Sequence, residues 1–97
     1  MESGWYYEKS SGVMHRQVAG EDLLIPVHGS VADMQRLFVL DGIGDFIWQK
    51  LDGERSVAEL VLDVVDEFDV EHDVAEADVQ RFLSELAEQG LVCRREV

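Results

Sequence analysis

The stretch Leu40-Asp41-Gly42-Ile43-Gly44-Asp45-Phe46-Ile47-Trp48-Gln49-Lys50-Leu51-Asp52-Gly53 decides the fold, because the hydrophobic period changes inside it. Ahead of Asp41 the chain reads as short strands divided by turn residues. From Asp41 onward, Ile43, Ile47 and Leu51 recur every four residues, with Phe46 and Trp48 widening the apolar stripe. Asp41 is an N-cap residue type, and Asp52-Gly53 stops the helix.

Working toward the C-terminus, Ser56 and Glu59 have capping-box spacing, after which Val57, Leu60, Val61, Val64 and Phe68 share one helical face. Asp69 to Asp73 breaks the pattern. Val79, Phe82, Leu83 and Leu86 then mark a third helix, closed by Gly90, and a short strand over Leu91 to Arg95 follows.

Toward the N-terminus, three segments read as a small antiparallel meander: Val13 to Ala19, Asp22 to Val27, and Met34 to Leu40. Gly20, His28-Gly29-Ser30 and Asp41-Gly42 punctuate them. Pro26 donates no backbone hydrogen bond, so the second segment is bulged there or ends near it. In the third, Met34, Arg36, Phe38 and Leu40 alternate with Gln35, Leu37 and Val39, which puts apolar groups on both faces. Residues 1–97 read as one domain, with residues 1–12 an N-terminal tail. Trp5, Tyr6 and Tyr7 in that tail either cover the domain's own core, the favoured reading, or belong to an interface. A sheet followed by helices is an α+β order that resembles a winged helix-turn-helix.

Charge narrows the partners. Eight Lys plus Arg against 21 Asp plus Glu give a net charge of −13. Residues 1–48 carry three basic and seven acidic side chains, and residues 49–97 carry five and fourteen. Phosphate binding requires cations, and the helix that would read DNA carries Asp78, Glu85 and Glu88 against Arg81, so nucleic acid is excluded as a partner. An anionic membrane surface is disfavoured on the same ground. No run approaches the ~18 apolar residues of a membrane span, and the N-terminus lacks the pattern of a signal peptide. The single cysteine, Cys93, has no intrachain partner, which fits a reducing, cytoplasmic setting.

Catalytic and cofactor patterns do not stand out. His15, His28 and His72 are scattered along the chain, and Glu71-His72-Asp73 reads as a solvated loop. The acidic run from Asp63 to Asp78 lacks EF-hand spacing and its central glycine, and reads as a solvated face. Gly42 and Gly44 lack the third glycine and the βαβ context of a dinucleotide loop. The expectation is therefore no enzyme, no cofactor and no metal. What remains is an edge strand: its unpaired N–H and C=O groups accept an extended peptide, and alternate side chains fill neighbouring pockets. The Met34 to Leu40 strand, beside a helix whose polar side shows Asp78, Arg81 and Glu85, makes such a groove.

Several motifs together resemble one family. They are the Leu40 to Gly53 stretch, Ser56-Val57-Ala58-Glu59-Leu60, and Asp78-Val79 with Phe82-Leu83, Leu86 and Gly90-Leu91-Val92. The chain is similar over residues 13 to 95 to the PqqD-like family, named for a protein of pyrroloquinoline quinone (PQQ) biosynthesis. The resemblance departs at Asp41, where the family commonly has Asn, a residue that also caps a helix. It implies a RiPP recognition element of three strands and three helices, a peptide chaperone that binds the leader segment of a ribosomally made precursor. The bound leader is presented to a modifying enzyme such as a radical SAM protein, in PQQ-type or other RiPP biosynthesis. It further implies leader addition along the third strand against the third helix, at Met34, Gln35, Arg36, Leu37, Phe38, Val39, Asp78, Arg81, Phe82 and Glu85. Arg36 and Arg81 are then expected to pair with acidic leader residues. The alternative is a winged-helix-like interaction module with no peptide ligand, using the same edge for a homodimer.

Overall fold

The computed structural model describes residues 5–28, 31–32 and 36–95. Its elements are β1 (Tyr6–Lys9), β2 (Val13–Val18), β3 (Glu21–His28), β4 (Val31–Ala32), β5 (Phe38–Leu40), α1 (Gly42–Lys50), α2 (Val57–Phe68), α3 (His72–Glu88) and β6 (Val92–Arg95). The architecture is α+β, an antiparallel sheet followed by three helices, as the change of period anticipates.

β3 is the central strand. β2 pairs along one edge from Val13↔Pro26 to Val18↔Glu21, closed by Ala19 and Gly20 at φ 53° and 84°. Both values are positive, as a two-residue type I′ hairpin requires. On the other edge, β5 pairs Asp22↔Leu40, Leu23↔Val39 and Leu24↔Phe38, and β4 pairs Val27↔Ala32 and His28↔Val31. Pro26 falls between these two pairings, where its missing N–H leaves no gap in a described ladder.

Three expectations change. The strand expected over Met34 to Leu40 is confined to Phe38–Leu40, with Arg36 in a 3₁₀ turn and Leu37 irregular. Met34 and Gln35, like the turn expected at Gly29-Ser30, lie outside the described residues. The tail expected over residues 1–12 contributes β1, which pairs antiparallel with β6 from Tyr6↔Arg95 to Lys9↔Val92. Tyr7 is buried, and the Trp5 carbonyl accepts from Val57 N–H at 2.9 Å, so self-packing wins for this segment. Finally, α3 begins at His72, seven residues before Val79, so the loop expected at Glu71-His72-Asp73 is mostly the helix's first turn. Its buried stripe is Ala75, Val79, Leu83 and Leu86, and the small Ala75 hides the first contact from a search for large apolar residues.

α1 and α2 are capped as their sequences dictate. The Asp41 carboxylate accepts from Gly44 N–H at 2.6 Å. Ser56 and Glu59 complete a reciprocal capping box. Between α1 and α2, the Asp52 carboxylate accepts from Glu54 N–H at 2.9 Å and Arg55 N–H at 3.0 Å. One core joins the layers: Leu24 and Leu40 from the sheet, Ile47, Trp48 and Leu51, then Leu60 and Val64 of α2, Val79, Leu83 and Leu86 of α3, and Tyr7 of β1 with Leu91 just before β6.

Candidate functional site

β5 has β3 on one side and no described strand on the other. In an antiparallel pair alternate residues turn their N–H and C=O groups away from the partner, so part of the β5 backbone faces this open edge. Alternation also sorts its side chains. Leu40 is buried and Phe38 half-buried on the helical side, whereas Val39 is 51% exposed.

α3 lies beside that edge. Phe82 meets Phe38 edge to face, with centroids 6.2 Å apart. A depression of about 440 Å³ opens there, lined by Phe38, Val39, Leu40 and Phe82 with Glu21, Asp41 and Glu85. A smaller one of about 130 Å³ continues along α3, between Ile43, Gly44 and Ile47 on one side and Asp78, Arg81, Phe82 and Glu85 on the other. Gly44 allows the close approach: a Cβ there would lie 3.1 Å from Cε1 of Phe82. The result is an open strand edge above a floor of aromatic and aliphatic groups, a shape suited to an extended peptide.

The expected site residues divide between this groove and its surroundings. Phe38, Val39, Asp78, Arg81, Phe82 and Glu85 are brought together. Leu37 is exposed just before β5. Arg36 instead borders a separate depression of about 340 Å³ with the Ser11-Gly12 turn and the C-terminal end of α3. Arg81 is paired with Asp78 at 3.2 Å. Sequence reasoning missed Glu21, Leu40, Asp41, Ile43, Gly44 and Ile47 as lining; the clue was Gly44 itself, a glycine in an apolar helical stripe where a neighbour comes close.

A second convergence was also missed. His15 Nε2 on β2 lies 3.3 Å from Asp22 Oδ1 on β3 and 3.5 Å from Asp45 Oδ1 on α1, tying the hairpin to the first helix. His15 and Asp22 are diagonal neighbours across two strands, and a linear sequence does not display that pairing. Along the acidic run, Asp66, Glu67, Asp69, Glu71 and Asp73 are exposed. Among the described residues, no helix is long and apolar enough to cross a membrane.

The family described as coenzyme PQQ synthesis protein D matches residues 23–92, from β3 into the last strand. The chain belongs to this family. A curated relative, the PqqA binding protein of Gluconobacter oxydans (strain 621H), is 36% identical over 58 residues, 60% of this chain. The match spans 60% of that relative's own length. Among solved structures, TbiB1 in complex with the TbiA(beta) leader peptide superposes with a TM-score of 0.70 at 26% identity. That alignment covers 88% of this chain and 93% of TbiB1.

Proposed function

We propose that this protein is a non-enzymatic adaptor that binds the leader segment of a ribosomally synthesised precursor peptide. The leader adds as a strand along the open edge of β5, its apolar side chains packing between β5 and α3. The observation that carries this reading is the juxtaposition of that open edge with the apolar depression under Phe38 and Phe82. Membership of the PqqD family supports it, as do a relative named for binding PqqA and a structural neighbour solved with a leader peptide. Main-chain pairing supplies affinity for an extended segment, and the side-chain pockets supply choice among segments. The bound leader is presented to a modifying enzyme, of the radical SAM class in the case the family resemblance implies. The setting is cytoplasmic.

Isotope-labelled protein titrated with peptides encoded by short open reading frames beside its gene tests this. The expected result is saturable chemical-shift change confined to Phe38–Leu40 and the Asp78 to Glu85 face of α3. Val39→Asp, an exposed substitution, should weaken binding about tenfold or more by placing a charge where an apolar contact formed. Shifts that saturate elsewhere, or affinity indifferent to Val39→Asp, would remove the groove from consideration. A concentration-dependent dimer that protects β5 from exchange would instead favour self-pairing through the same edge.

A further inference from the structure

The groove's walls carry an uneven charge. Four carboxylates line its two depressions, from Glu21, Asp41, Asp78 and Glu85, against the one guanidinium of Arg81. Two of the four are engaged. Asp78 accepts from Arg81 at 3.2 Å, and Asp41 caps α1 through Gly44 N–H at 2.6 Å. Among the described residues, neither Glu21 nor Glu85 has a cation within ion-pairing distance, and both border the larger depression floored by Phe38, Val39, Leu40 and Phe82.

Apolar floor and unmatched carboxylate rim together describe a particular side chain. Lys and Arg lay an aliphatic stem on apolar surface and carry the charge to its margin. An acidic leader residue would meet like charge here, on a chain whose net charge is −13. Of the two arginines expected to hold such a residue, Arg81 is paired with Asp78 on the groove's own wall, and Arg36 borders the separate depression beside the C-terminal end of α3.

Resting on the strand-addition reading above, we propose that the recognised leader segment is basic and apolar. A Lys or Arg stem crosses Phe82 and Val39, and its cationic head reaches the carboxylates of Glu21 and Glu85. The groove thereby selects such segments over acidic ones of equal hydrophobicity.

A displayed library of random fifteen-residue peptides, selected on the immobilised full chain at low salt, tests the proposal. Parallel selections use the uncharged variant Val39→Asn and the double variant Glu21→Gln/Glu85→Gln, whose changes fall on exposed side chains. The expected result is enrichment of Lys and Arg near an apolar residue in peptides that bind Val39→Asn more weakly. Individual winners should lose about tenfold in affinity on the double variant, the effect of two exposed ion pairs. They should also weaken with added salt. Winners that depend on Val39 but show no basic bias would overturn the charge selection and leave strand addition standing. No enrichment dependent on Val39 would overturn both.

Discussion

The ring of Phe82 on α3 meets the ring of Phe38 on β5 edge on, with 68° between their planes, and this contact joins helix to sheet at the floor of the groove. Edge-to-face pairs contribute about 0.5–1.5 kcal/mol beyond the area they bury. Phe82 is half-buried, so Phe82→Ala should cost about 2 kcal/mol, less than a fully buried aromatic. Urea unfolding would measure it. A loss below about 0.5 kcal/mol, the scale of an ordinary surface change, would mean the ring pair is not holding β5 to α3.

Gly44 gives a subtler handle on the same place. A Cβ added there would lie 3.0 Å from Asp41 Oδ1 and 3.1 Å from Phe82 Cε1, so the Phe82 ring must shift by a few tenths of an ångström. Alanine offsets this by up to about 1 kcal/mol of helix propensity. Gly44→Ala is therefore expected to change stability by less than about 1 kcal/mol while moving the Phe82 ring resonances and reducing peptide affinity. Unchanged ring shifts would show that the approach is looser than the geometry gives.

Much of this was legible in the sequence, and the failures have physical causes. α2 could be read because a capping box and a wide apolar stripe agree on its bounds. α3 was read short because its first contact is Ala75 and its first turn is polar. β1 escaped because Tyr6-Tyr7-Glu8-Lys9 has no clear alternation and pairs with a strand more than eighty residues away. The groove was half legible: the Asp78, Arg81 and Glu85 face follows from helical spacing, and Phe82 joins it through the family resemblance. Glu21, on another strand, enters only through the β3–β5 register that sets Asp22 opposite Leu40.

The α2 cap is a reciprocal pair, with Glu59 N–H donating to Ser56 Oγ at 3.2 Å and Ser56 N–H donating to Glu59 Oε1 at 2.9 Å. Ser56→Ala should cost about 1 kcal/mol, lowering the melting temperature by about 4–8 °C in a domain of this size. Because both bonds order the same turn, the double change Ser56→Ala/Glu59→Ala should cost less than the sum of the single ones. Strict additivity in thermal melts would show two independent bonds.

Asp52 provides the pH-dependent case. The Glu54 N–H it accepts holds its carboxyl below the usual aspartate value, against an opposing desolvation, and the Arg55 N–H adds to the lowering. A carboxyl depressed in the folded state stabilises fully above its unfolded pKa, and the contribution fades as pH falls through the folded value. Asp52→Ala should therefore be less stable than the parent at neutral pH, with the gap narrowing below pH ~4. Carbon-detected NMR titration should put the Asp52 midpoint below the usual aspartate value, and a midpoint at or above that value would contradict the turn.

Tyr7 tests whether the first nine residues belong to the fold. Its side chain is 6% exposed in the main core, and β1 around it pairs with β6 through four residue pairs. The Trp5 ring adds a second tie, lying 3.7 Å under the Arg94 guanidinium. A dispensable tail would leave stability untouched on deletion. Here, Tyr7→Ala opens a cavity in the core that also holds Trp48, Val57 and Leu91. It should cost about 3 kcal/mol, as buried aromatic truncations do. Removal of residues 1–9 should cost more, since β6 then loses its only described strand partner. Hydrogen exchange gives an independent check: amides of Tyr6–Lys9 and Val92–Arg95 should be protected together, and both sets should become fast in Tyr7→Ala while Leu83 at the centre of α3 remains slow. Fast exchange at β1 in the parent protein would return the segment to a tail.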